Sequence, residues 1–295
     1  MTIKPVAGSI SQLGEGPVWL EDEGVFYWVD IIAKQIRFYY PATEELKTIQ
    51  LNDLIGAAVP AGRGSLICAM KTGFYRLELA SQQLSEIGKV EEHLPDNRMN
   101  DGKCDRSGRF WAGTMSMKGE TETGALYCLE RDSSVRQAVS HVSISNGICW
   151  SSDDTKMYYI DTPTREIHQF DYNAETGELS NRKAIITIEK EQGFPDGMTI
   201  DAEGMLWVAH WGGACVSRWN PATAKQVESI SVPATNITSC CFGGDNLDQL
   251  FITSAKEGLS EEHLLAEPLA GSCFIFTPGV KGLPAQRYKS LQESN

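Results

Sequence analysis

A short unit recurs six times along the chain, and its spacing constrains the fold more than any other feature. Each copy opens with a small residue and a short apolar strand, passes through a charged turn, and ends in a second strand rich in aromatic and β-branched residues. The copies are GPVWLEDEGVFYWVD from Gly16, AAVPAGRGSLICAMK from Ala57, GKCDRSGRFWAGTM from Gly102, GICWSSDDTKMYYID from Gly147, GMTIDAEGMLWVAH from Gly197 and CCFGGDNLDQLFIT from Cys240. Successive starts lie 41, 45, 45, 50 and 43 residues apart, the length of one four-stranded propeller blade.

Between the copies run further strand-like pairs, such as QIRFYY then LKTIQL, joined by turns like PATEE and NAETGE that suit antiparallel hairpins. No segment carries a long helical period. The pattern predicts an all-β fold: a six-bladed β-propeller with four antiparallel strands per blade, a single domain over residues 1–295. A repeat of this kind cannot bury both faces alone, whereas a ring gives each blade two neighbours. The last repeat runs short after GSCFIFTPG, while KPVAGSI precedes the first full unit. The N-terminal strand is therefore expected to complete the sixth blade and close the ring.

The residue before each unit falls in one structural slot: Glu15, Gly56, Asp101, Asn146, Asp196 and Ser239. Four of these bear a carboxylate or amide oxygen, and equivalent positions on the innermost strands face one another across the axis. Asn-Gly and Asp-Gly are also strong turn signals, so Asp101-Gly102, Asn146-Gly147 or Asp196-Gly197 taken singly reads as a hairpin. The hairpins, however, are accounted for by EDEG, DRSG, SSDDT and DAEG further along each unit. Clustered carboxylates without a cation repel one another and take up protons. Oxygen donors without Cys or His suit one hard divalent ion, Ca²⁺, Mg²⁺ or Mn²⁺, with Zn²⁺ also accepting them. Three protein ligands leave room for water and substrate.

Charge and composition narrow the partners. With 26 Lys and Arg against 39 Asp and Glu, the net charge of −13 disfavours nucleic acid and anionic membranes. The start MTIKPVAGSISQLGEG lacks the apolar core of an export signal, and no apolar run reaches membrane-spanning length. Eight cysteines show no C-x-x-C spacing and sit mostly in apolar runs, so they read as buried thiols of a cytoplasmic protein. No nucleotide-binding, serine-hydrolase or zinc-protease motif is present, and no organic cofactor is implied. His210, ending LWVAH, could reach the channel mouth or serve structure alone, and the tryptophans read as blade core.

The segments GEGPVW, NRMNDGKCD, AGTM, SNGICW, PDGMTIDAEGMLWVA and TSCCFGG, in order over essentially the whole chain, are similar to those of the regucalcin, gluconolactonase and luciferin-regenerating-enzyme family. The resemblance implies a six-bladed propeller with one axial divalent ion and lactone hydrolysis. It assigns Glu15, Asn146 and Asp196 to the metal and Arg98 and Asn100 to substrate, leaving Asp101 beside the ion. The chain departs from regucalcin at MSMKGETETG (115–124), where Lys118 stands near an acidic residue of regucalcin.

The expected function is hydrolysis of small sugar lactones, with Asp196 as ligand and general base and Asp101 as the rival base. The alternatives are a phosphotriesterase or fluorophosphatase on the same scaffold, and a non-catalytic calcium-binding propeller.

Overall fold

Blade strands near the axis are buried on both faces, which is what a ring of sheets requires. In the computed structural model, which describes residues 3–291, twenty-four strands form six four-stranded antiparallel sheets. Five blades follow sequence order: β2–β5 (Gly14–Gln50), β6–β9 (Ile55–Lys89), β10–β13 (Asn97–Val142), β14–β17 (Ser145–Thr187) and β18–β21 (Phe194–Ser231). The sixth combines β22 (Asn236–Gly243), β23 (Gln249–Ala255) and β24 (Phe274–Phe276) with β1 (Lys4–Pro5) from the start of the chain. Lys4 pairs with Ile275 and Pro5 with Phe274, so the N-terminal strand closes the ring as the truncated last repeat predicts. Residues 1 and 2 of that segment lie outside the described residues.

Innermost β6 (Ile55–Pro60) is buried at every position, whereas outermost β5 (Glu45–Gln50) buries Ile49 alone. The inner strands lie between two neighbouring sheets and so lose the in-out alternation of a one-sided sheet. At the closing seam Phe26 of the first blade stacks on Phe251 of the sixth, with ring centroids 4.3 Å apart. Trp28, Trp111 and Trp207, all on second strands, are wholly buried. The indoles of Trp111 and Trp207 donate to Asp105 and Asp201 at 2.9 Å, which makes those turn aspartates part of the scaffold.

Each inner strand carries one register shift against its neighbour, and in all six blades it falls at the slot or next to it. The Asp-Gly and Asn-Gly pairs are thus β-bulges inside strands rather than turns, and a bulge re-aims its side chain. The glycines are needed because strands crowd at the axis. A Cβ on Gly147 would stand 2.7 Å from the Asp196 carbonyl oxygen, and one on Gly197 2.1 Å from the Ser239 hydroxyl.

Beyond β24 the chain does not continue the blade. It crosses the far end of the channel as a strap that bonds to Ala202, Leu247, Pro60, Gly108 and Arg131 in turn, with Arg287 paired to Asp22. All eight thiols are free and, Cys215 apart, buried. Among the described residues no helix is long and apolar enough to cross a membrane.

Candidate active site

The bulges of three inner strands aim oxygen donors into one cavity. Glu15 on β2 (Gly14–Leu20), Asn146 on β14 (Ser145–Trp150) and Asp196 on β18 (Phe194–Ile200) are each about 95% buried and line the floor of a recess of about 670 Å³. Glu15 and Asp196 share a side-chain hydrogen bond. Glu15 also accepts from the Gly16 amide at 2.8 Å.

Asn146 is oriented by a chain of hydrogen bonds. Its Nδ2 donates to Thr162 Oγ1 at 2.8 Å, and that hydroxyl donates to the Pro195 carbonyl at 2.8 Å. The amide oxygen is thereby left facing the site, where it accepts from Asn100 Nδ2 at 3.0 Å. Arg98 and Asn100, both on β10 (Asn97–Cys104), line the same recess, with Arg98 Nη1 donating to Asn100 Oδ1 at 2.7 Å.

Asp101, although its carboxylate acts on Glu15 and Asp196, is not among the residues lining the recess. It lines a smaller void of about 90 Å³ on the strap side, with Lys103, Cys149, Ser239 and strap residues Leu283 and Pro284. Its carboxylate accepts from the Gly102 amide at 2.7 Å. The slot shared by Glu15, Asp101, Asn146 and Asp196 therefore feeds two compartments.

The electrostatics are those of a site short of positive charge. Burial, then the Asp101 carboxylate, raises Glu15 to about 8 against the relief of the Gly16 amide and Arg98. Burial and then Glu15 and Asp101 hold Asp196 well above the usual carboxylate range. Asp101 is raised by burial and drawn back by Lys103. Arg98 is lowered to about 10 by burial, while Glu15, Asp196 and Glu257 favour its charged form. Three buried carboxylates against Arg98 and Lys103 leave a place for a cation. Among the described residues no three His, Cys, Asp or Glu side chains group as metal ligands. The donor set here is two carboxylates and an amide oxygen, the chemistry of a hard divalent ion.

Sequence reasoning did not single out Thr162, Glu257, Trp211 or Phe194, all of which line the recess. Ile32, Met117, Thr162, Trp211 and Glu257 each lie at or within two residues after the end of a blade's second strand, but at no common offset, so a residue count does not pick them out. Trp211 is also the exception to the reading of tryptophans as core. His210 does not reach the mouth: it is wholly buried, Nε2 bonded to Ser217, and burial lowers it to about 4. Lys118 lies outside the recess and pairs with Asp96 at 2.6 Å.

Residues 13–256 match the family model described as the SMP-30/Gluconolactonase/LRE-like region. The chain is 41% identical over 275 residues to YvrE of Bacillus subtilis, classed by name among sugar lactone lactonases, covering 92% of this chain and 94% of YvrE. It is 41% identical over 281 residues to regucalcin of Danio rerio, covering 94% and 95%. Among solved structures, a calcium-binding regucalcin of Agrobacterium tumefaciens superposes with a TM-score of 0.93 at 29% identity, over 97% of each chain. A luciferin-regenerating enzyme superposes at 0.92 and 31% identity, over 98% and 99%.

Proposed function

Since the chain belongs to the SMP-30/gluconolactonase/LRE-like family, we propose that it hydrolyses small lactones, sugar (aldono) lactones among them, using one divalent ion held by Glu15, Asn146 and Asp196. The observation that carries this reading is the convergence of those three oxygen donors with Arg98 and Asn100 on the floor of one recess. The name of YvrE supports the lactone, and the calcium-binding relative supports Ca²⁺ beside Mg²⁺, Mn²⁺ and Zn²⁺. Bound there, such an ion would supply a Lewis acid for the lactone carbonyl and acidify nearby water.

The remaining work falls to the chain's own side chains. Arg98 donates to substrate oxygens, while Asn100, whose amide nitrogen already donates to the Ser145 carbonyl and to Asn146 Oδ1, meets a substrate hydroxyl through its Oδ1. Asp196 accepts the proton of the attacking water. Asp101 is the rival base, and its place in the strap-side void favours Asp196.

A pH-stat assay of Asp196→Asn and Asp101→Asn on several aldonolactones, with metal content measured alongside, tests this assignment. Metal-loaded Asp196→Asn should turn over at least roughly a hundredfold more slowly, the lower end of a general-base contribution. Near-normal turnover by that variant, with Asp101→Asn inactive, would move the base to Asp101.

A further inference from the structure

Above its polar floor the recess changes character. Nine of its sixteen lining residues are apolar. Ile32, Met117 and Phe194 stand at the mouth, 43%, 44% and 40% exposed, and account for three of the seven exposed large hydrophobic side chains among the described residues. They come from the first, third and fifth blades, so the apolar rim surrounds the opening. Met115, Ile144 and Trp211 carry the wall inward.

Two of these residues come from the segment 115–124, where the resemblance to regucalcin fails. It gives the recess Met115 and Met117 while Lys118 is held outside on Asp96. Methionine is an adaptable apolar surface. Phe194 is held in place from behind, with the Arg165 guanidinium 4.0 Å from its ring centroid and itself anchored on the Gly193 carbonyl at 2.6 Å.

The polar groups of the recess lie on the floor, apart from Glu257, which is exposed at the rim and accepts from Gln12 Nε2 at 3.1 Å. Of these, the Thr162 hydroxyl is already committed to Asn146 and Pro195. A polyhydroxylated arm reaching up from the floor would lose water and meet carbon, which costs free energy for each hydroxyl left unpaired. An alkyl or aryl arm gains by the same transfer. The recess also exceeds what a bare sugar lactone of roughly a dozen non-hydrogen atoms fills, since pockets of this order hold drug-sized ligands.

The geometry points to lactones bearing an apolar exocyclic substituent, of about pentyl to phenyl size, as the favoured substrates. This narrows the lactonase reading and rests on it. The ring ester lies on the floor and the arm runs along Met117 and Phe194. Water oxygen adds to the carbonyl carbon, the ring C–O bond breaks, the ring oxygen leaves with a proton, and the product is the open hydroxy acid.

The test compares kcat/KM for δ-decalactone, which carries a pentyl arm, with unsubstituted δ-valerolactone and glucono-δ-lactone, in the presence of each of the four divalent ions. The expected result is an advantage of at least about tenfold for δ-decalactone over both, within the range that a hydrophobic pocket can discriminate. The double variant Met117→Ser, Phe194→Ser should remove most of that advantage while metal content per chain is retained. A preference for glucono-δ-lactone, or an advantage untouched by the double variant, overturns the inference and leaves the lactonase reading standing. Failure to hydrolyse any of the three with any ion sinks the lactonase reading, and this inference with it.

Discussion

Replacing Thr162 by Val tests whether the metal slot is assembled by hydrogen bonds behind its ligands. The two side chains are nearly the same size, so the change removes a hydroxyl and little else. Two bonds of 2.8 Å disappear, stranding Asn146 Nδ2 and the Pro195 carbonyl in buried surroundings. At the low end of about 1–3 kcal/mol per stranded group, the variant loses about 2 kcal/mol. At about 2–4 °C per kcal/mol for a chain of this order, the midpoint of unfolding falls by about 4–8 °C. The second effect is on the ion. Without Thr162 the amide of Asn146 is free to turn its nitrogen inward, although Asn100 still donates to the oxygen at 3.0 Å. Loss of a partner behind a ligand typically weakens metal binding by about 10–100-fold. Calorimetric titration of metal-stripped protein with Ca²⁺ or Mn²⁺, alongside scanning calorimetry with and without ion, reads both effects. Thr162→Ser, which keeps the hydroxyl, should restore the affinity. Wild-type ion affinity in Thr162→Val, with only the melting point lowered, would refute the reasoning and reduce Thr162 to a packing residue.

Other outcomes follow from the same geometry. Glu15 in the folded, metal-free chain holds its proton to about 8, against 4.5 for the ordinary group. Its contribution is full below 4.5 and lost as pH rises toward 8, so metal-free protein should melt at progressively lower temperature across that window in scanning calorimetry. Saturating divalent ion should flatten the decline, and a metal-free melting point that rises with pH would contradict the charge balance described. Arg98→Ala and Asn100→Ala should impair lactone turnover while metal content, measured by atomic emission, stays near one ion per chain. Deleting residues 1–12 removes β1 and the Gln12 carbonyl that accepts from Lys256 and Glu257. The shortened chain should unfold at a lower denaturant midpoint than the full chain.

The ring and the slot could be read from the chain because both follow a repeat. Spacing of 41 to 50 residues points to one architecture, and a place one residue before the same unit makes Glu15, Asn146 and Asp196 equivalent before any coordinates exist. Direction at the bulge was not legible. Asp101 shares the slot yet lines the strap-side void and not the recess, which a residue count does not foretell. The rest of the recess lining was missed for a different reason. Thr162, Trp211 and Glu257 sit where chain length and composition vary from blade to blade, so no pattern repeats. Thr162 acquires its role only by touching Asn146 in its own blade and Pro195 in the next. The C-terminal strap left no periodic trace either, since it touches each blade with a different residue.

That strap sets the timetable of biosynthesis. Glu15 is made early, but its blade stays unsealed until Thr238 of the sixth can donate to the Gly14 carbonyl and β1 finds β24. The strap is the last described segment to be synthesised, and it bonds to Pro60 and Gly108, blades made long before. At about 5–20 residues per second, the five finished blades wait several seconds as an open arc with sticky faces at both ends. A ribosome that stops short of the sixth blade releases a protein in which Glu15 and Asp196 have no wall between them to hold them together. The sixth blade, last of the ring to be made, is thus what brings Glu15 and Asp196 to one floor.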